Sequence, residues 1–158
     1  MEIRAKHIVI GLGLLTAIGY FVKTKVSNWK ILLPKMKAYP TGLRNLKWQL
    51  GGGLGGTLAF DIDITIFNPT NQNFTPDGLL AILDRVEITA FEDRTTIAEI
   101  DIKQGYLDIP ANGNYVLKNK RVSVPVNLSI LDILRRIKSP DDLNATPIMK
   151  VLGTEYRI

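Results

Sequence analysis

The sequence predicts a mainly β protein, an antiparallel β-sandwich with one short helix, preceded by a single N-terminal transmembrane helix. Three observations predict this: an uncharged apolar run from Ile8 to Val22, several segments in which apolar and polar residues alternate, and one segment with helical periodicity. About 130 residues follow the run, which is enough for one domain with its own core. We therefore divide the chain into residues 1–25, a membrane anchor with basic flanks, and residues 26–158, a sandwich domain.

The apolar run is compatible with a membrane anchor, a cleaved signal peptide or a buried core helix. At about 1.5 Å per residue it covers roughly 22 Å, short of the roughly 30 Å hydrocarbon layer, which favours a signal peptide. However, it ends in Tyr20, Phe21, Val22 and Lys23, a poor cleavage site, so we expect an uncleaved single-pass anchor. The residues predicted to face lipid are Ile8, Ile10, Leu12, Leu14, Leu15, Ile18, Phe21 and Val22.

Positive charge is concentrated beside this run. Residues 1–50 contain nine Lys or Arg and one acidic residue, whereas residues 51–158 contain eleven Lys or Arg and fourteen acidic residues. Lysines next to a membrane are attracted to anionic lipid by roughly 1 kcal/mol each, although ordinary solvated charges explain them equally well. The predicted headgroup contacts are Lys6, Lys23, Lys25, Trp29, Lys30, Lys35 and Lys37. Lipid is therefore the expected partner, and nucleic acid is not, because the domain itself is mildly acidic.

The side of the membrane stays open. The excess of Lys and Arg after the run favours a cytoplasmic domain, whereas the very short N-terminal tail favours the opposite orientation. The chain has no cysteine, which excludes disulfides and thiolate chemistry in either compartment.

The clearest strand runs from Leu58 to Phe67. Phe60, Ile62, Ile64 and Ile66 alternate with polar residues, which is typical of a half-buried strand. Asn68-Pro69 ends it, because proline has no N–H for the sheet. Similar alternation predicts further strands within residues 86–90, 98–102, 106–109, 122–128 and 148–152, with a turn at residues 111–114.

One helix interrupts the strands. Ile130, Ile133, Leu134 and Ile137 have the spacing of an amphipathic helix, and Ser139-Pro140 stops it. Ser129, with Asp132 three residues later, predicts a capping box at its start. The short, regularly spaced strands and the single helix predict a sandwich whose open end the helix plugs.

The strand that runs into Asn68, Pro69 and Thr70 resembles the core motif of the late-embryogenesis-abundant (LEA) type-2 proteins, also called the WHy (water stress and hypersensitive response) domain. The later elements follow a similar order, and the likeness covers residues 30–158. The family usually has Asn-Pro-Asn, so Thr70 departs from it. The resemblance implies a fibronectin-like β-sandwich, often tethered to a membrane and associated with stress tolerance, with no established catalytic residues.

The remaining motifs do not predict chemistry. Gly51 to Gly56 matches G-x-G-x-x-G, but a strand follows it where a dinucleotide site needs a helix. Asp61 and Asp63 share a strand face, as acids on a solvated sheet usually do. His7 is the single histidine and lies beside the predicted anchor. We therefore predict no catalytic residues, no metal site, no cofactor and no enzymatic activity.

Three hypotheses about function follow. The first is a membrane-anchored module for stress protection or interaction, as the resemblance implies. The second is a structural protein of an assembly, such as a lipid-containing virus particle or a cell envelope, that links a membrane to a protein shell. The third is a binding domain for a small or lipidic ligand inside the sandwich, which the bulky residues of the central strand disfavour.

Overall fold

Two antiparallel sheets form the body of this protein in a computed structural model. The structure describes the backbone of residues 3–50, 56–91 and 94–158, and the side chains of residues 18–49, 56–91, 94–127 and 130–158. The elements are α1 (Ile3–Leu32), β1 (Lys37–Leu50), β2 (Gly56–Phe67), β3 (Ala81–Ala90), β4 (Thr96–Gln104), β5 (Asn114–Val126), α2 (Leu128–Arg136), β6 (Leu143–Val151) and β7 (Thr154–Arg157). Short 3-10 helices lie at Leu33–Lys35 and Pro140–Asp142.

The sheets have the strand orders β1-β2-β5 and β4-β3-β6-β7, and all their pairings are antiparallel. The apolar face of β2 lies between them, with Phe60 1% exposed and Ile62, Ile64 and Ile66 fully buried. β2 ends before Asn68-Pro69, as the sequence predicts. The β-sandwich part of the predicted fold therefore agrees with the structure.

The account of the strands needs two corrections. Residues 106–109 do not form a strand, and Tyr106 and Ile109 take part only in isolated bridges, to Asp77 and Phe74. The sequence analysis also missed β1, although this strand is 14 residues long. It pairs with β2 along its length, with register shifts after Pro40 and after Arg44.

The predicted N-terminal transmembrane helix is wrong. Within the described part of the chain, no helix has a stretch long and apolar enough to cross a membrane. The predicted boundary after residue 25 lies inside α1, which is continuous from Ile3 to Leu32. The last turns of α1 carry lysines, and their apolar residues Val26, Trp29 and Leu32 are 4–6% exposed because they pack on the sandwich. The same finding contradicts the predicted single-pass membrane localisation.

The two helices lie at opposite ends of the sandwich. Trp29 of α1 meets Phe74, which follows the end of β2, edge to face at 5.9 Å between ring centroids. Leu134 of α2 is 4% exposed and lies near Leu58, at the start of β2. The predicted plug is therefore present, but α1 covers the other end.

The predicted N-cap of α2 lies two residues too far along the chain. Its N-cap is Asn127, whose side chain accepts a 2.9 Å hydrogen bond from the backbone N–H of Ile130. The predicted capping box at Ser129 is therefore wrong. A capping box does occur at the next short helix, between Ser139 and Asp142.

Candidate functional site

The segment from Asn68 to Thr70 forms a buried hydrogen-bond junction between two loops. Asn68 is 0% exposed, and its side-chain amide donates to the carbonyls of Gln72, Pro110 and Ile109 at 2.7, 3.2 and 3.4 Å. Its Oδ1 accepts from the backbone N–H and the hydroxyl of Thr70, at 3.1 and 2.7 Å. Since every one of these contacts joins parts of the same chain, Asn68 is a structural residue that ties the end of β2 to the loop before β5.

Asp61 and Asp63 lie on the outer face of β2, as predicted, and each is engaged by neighbouring strands. Asp63 accepts from the backbone N–H of Asn119 at 2.7 Å and from Arg44 at 2.7 Å, which lower the pKa of its carboxyl group in that order of importance. Both partners come from strands that flank β2.

The pKa of Asp61 is lowered by the same kind of contact. Asn45 donates to its carboxylate at 2.6 Å, and Arg121 donates at 3.0 Å. The carboxylates therefore stay ionised and paired, and this cluster holds β1, β2 and β5 together rather than offering a free acid or base.

A second charge cluster, which the sequence did not reveal, covers the other sheet. Arg85 lies 2.9 Å from Asp84 and 2.8 Å from Glu155, and Lys150 lies 2.8 Å from Asp84. The pKa of Asp84 is lowered, first by Lys150 and then by Arg85, and the pKa of Glu155 is lowered by Arg85. These ion pairs join β3, β6 and β7, so this cluster also stabilises the pairing of neighbouring strands.

The residues predicted to contact lipid are placed in different environments. Trp29 is 4% exposed in the core, so its predicted contact with headgroups is incorrect. Lys25 lies 5.6 Å from the centre of the Trp29 ring and 3.5 Å from Asp77, a contact with the domain itself. The side chains on α1 and just after it that are exposed belong to Ile18, Phe21, Lys23, Lys30, Lys35 and Lys37. Val22 is half-buried. The side chains of Lys6, Ile8, Ile10, Leu12, Leu14 and Leu15 lie outside the described residues.

An apolar groove lies between β1 and α2, and we call it the β1–α2 groove. It has a volume of about 250 Å³. Leu58 and Phe60 form its floor and are 3% and 1% exposed, whereas Leu46 and Trp48 stand at its rim, 53% and 46% exposed. Its remaining walls are Leu43, Leu134, Arg135 and Ile137.

The groove opens beside the free edge of a sheet. Among the described residues, β1 is the outermost strand of its sheet and forms ladder hydrogen bonds with β2 alone, and it also lies close to β6 and to the 3-10 helix Pro140–Asp142. The register shifts lie in its first ten residues, while Lys47, Trp48 and Gln49 pair regularly with β2 as far as Leu50. Sequence analysis missed this site because it depends on β1. The available signal was the three apolar residues Leu43, Leu46 and Trp48 in a polar segment.

The predictions about chemistry stay predictions. Among the side chains that the structure describes, no three His, Cys, Asp or Glu residues are grouped closely enough to hold a metal ion. Residues 51–55 of the glycine-rich motif lie outside the described residues, as does the side chain of His7, whereas Gly56 is the first residue of β2.

Comparisons with known proteins give no family for this chain. No family model and no curated protein matches. A structural-genomics target, SoR45, has 17% identity over 80% of this chain and 82% of its own, with a TM-score of 0.39. A protein from Archaeoglobus fulgidus has 8% identity over 75% and 89%, with a TM-score of 0.30.

A solved protein described as late embryogenesis abundant has 15% identity over 99% of this chain and 81% of its own, with a TM-score of 0.23. Similarity of this degree is weak, and membership of the LEA type-2 family stays a prediction. The hypothesis of a structural protein in a virus particle or envelope also stays a prediction.

Proposed function

We propose that this chain is a non-enzymatic interaction module of the LEA type-2 kind, which protects or holds other macromolecules through surface contact. The observation that carries the proposal is the β1–α2 groove, where Leu46 and Trp48 stand about half exposed above a buried apolar floor. Exposed aromatic and aliphatic side chains beside an arginine are characteristic of surfaces that bind proteins.

The other conspicuous groups support the same proposal. Asp61, Asp63 and Asp84 are paired with arginine, lysine or amide groups of neighbouring strands. The side-chain amide of Asn68 already donates hydrogen bonds to the carbonyls of its own loops. The side chains of β2 fill the space between the sheets, which favours a surface role over a ligand held inside the sandwich.

A drying assay tests the protective part of this proposal. Lactate dehydrogenase is dried and rehydrated with this protein, with an equal mass of serum albumin, or alone. We expect the enzyme to retain at least twice as much activity with this protein as with albumin. Equal recovery with the two proteins would reject the protective function, because any added protein would then do the same.

A further inference from the structure

We propose that the β1–α2 groove and the free edge of β1 form one docking site for an extended acidic segment of a partner protein. The segment adds to β1 as a further strand and places one bulky apolar side chain in the groove. This inference rests on the proposed interaction function and names the class of partner.

The backbone of β1 supplies the first half of the site. In an antiparallel pair, alternate residues direct their N–H and C=O groups away from the partner strand. Of the residues from Lys47 to Leu50, two therefore present these groups at the free edge. An unpaired edge of this kind is a template for an added strand, and the main-chain hydrogen bonds provide affinity without selecting a sequence.

The groove supplies selectivity. Ligand pockets for drug-sized molecules span about 300–1,000 Å³, so the groove, at about 250 Å³, suits a side chain better than a whole small molecule. Its floor of Leu58 and Phe60 is apolar and its rim carries Trp48, which favours a leucine or an aromatic residue. Because side chains of a strand alternate between faces, one residue of the added strand enters the groove while its neighbours point away.

The charge at the mouth indicates an acidic partner. Arg135 lines the groove with its side chain 68% exposed. Asp132 lies 3.7 Å from Arg135 in a loose, exposed pair that leaves the arginine available to a partner. A second copy of this chain would bring Arg135 of both copies together across a two-fold axis, which is unfavourable.

The test is an array of heptapeptides probed with the full chain. Each heptapeptide has Gly, Ala, Leu or Phe at its centre. The two residues beside the centre are both Glu, both Gln or both Lys, and the outer positions alternate Val and Thr. We expect peptides with Leu or Phe between Glu residues to bind at least tenfold more tightly than those with Gly, and than those with Lys flanks. N-methylation of alternate amides on the pairing edge should abolish binding, since it removes main-chain donors.

Matched variants locate the site. Trp48→Thr should weaken binding of the best peptide at least tenfold, and Arg135→Glu should reverse the preference from Glu to Lys flanks. Leu79→Thr and Lys30→Glu remove an exposed apolar residue and a cation away from the groove, and they should leave binding within twofold. Each variant is first shown to melt like the wild type.

Several results would overturn the proposal: no peptide bound, unchanged flank preference in Arg135→Glu, or tight binding to Trp48→Thr. Concentration-dependent dimers in sedimentation that Trp48→Thr abolishes would identify a second copy as the occupant and would also overturn it. The drying assay reports separately on the proposed function. Protection without peptide binding rejects this docking site alone, and peptide binding without protection rejects the protective function alone.

Discussion

At the scale of single residues, Asn68 shows how a short motif specifies a structural contact. An amide presents both donors and acceptors, and Asn68 uses both because carbonyls lie on one side and Thr70 lies on the other. Thr70 supplies a hydroxyl donor to the Oδ1 of Asn68 at 2.7 Å. This contact helps to hold the junction closed.

The junction predicts the effect of two substitutions at position 68. Asn68→Ala should lower the free energy of unfolding by roughly 1–3 kcal/mol, because buried carbonyls lose a donor. Asn68→Asp should cost more, because it places a carboxylate against the carbonyls of Gln72 and Pro110. Urea unfolding measures both. An Asp variant as stable as the wild type would contradict the assignment.

The acids of β2 predict how stability depends on pH. The pKa values of Asp61 and Asp63 are lowered in the folded state, first by Asn45 and by the Asn119 N–H, respectively. Their contribution is therefore complete above the unfolded pKa of 3.8 and is lost as the pH falls through the lower folded values. We expect the urea midpoint to fall with pH below about 4.

The control for the pH prediction is the double substitution Asp61→Asn with Asp63→Asn, which removes both titrating groups. Its urea midpoint should change less with pH over the same acid range. Identical pH profiles for this variant and the wild type would show that the two acids do not carry the effect. The sequence predicted the outward direction of both side chains, but not their partners, because Asn119 lies 56 residues from Asp63.

At the scale of elements, β1 and α1 show where sequence patterns fail. β1 includes Pro40 and Gly42, and its register shifts displace the alternation that reveals a strand, so the pattern with a period of two is lost. β2 keeps that pattern without interruption on its buried face, and its strand was predicted within two residues at each end. Alternation therefore predicts a central strand better than a bulged edge strand.

The interpretation of α1 failed for a different reason. Hydropathy and flanking charge describe a segment in isolation, whereas Val26 and Trp29 are buried by parts of the chain that are distant in sequence. Phe74, the ring partner of Trp29, lies in a turn-rich segment with no pattern of its own. No local signal distinguishes a helix end that packs on such a loop from one that continues an anchor.

The packing of α1 predicts a large effect of Trp29→Ala. A buried Trp reduced to Ala typically costs about 3–5 kcal/mol, through lost burial and the cavity left behind. Tyr20→Ala is the matched control on the same helix, because Tyr20 is 75% exposed, and it should change the free energy of unfolding by about 0.5 kcal/mol or less. Equal effects in thermal and urea unfolding would show that α1 does not pack on the sandwich.

At the scale of the whole molecule, the structure combines a filled interior with an apolar groove beside a sheet edge. The helices cover opposite ends, with Trp29 inside one end and Leu134 at the other. The sequence predicted the sandwich and the α2 plug from local periodicity. It did not predict the β1–α2 groove, because that site exists only where β1, β2 and α2 meet.

The central claim is that α1 completes the core while β1 presents Trp48 at the surface. The chain has two tryptophans, one for each part of that claim, so acrylamide quenching of Trp48→Phe and Trp29→Phe variants measures them separately. We predict that the fluorescence of Trp29, 4% exposed, resists quenching, whereas that of Trp48, 46% exposed, is readily quenched. Quenching of Trp29 as efficient as that of Trp48 would contradict the account.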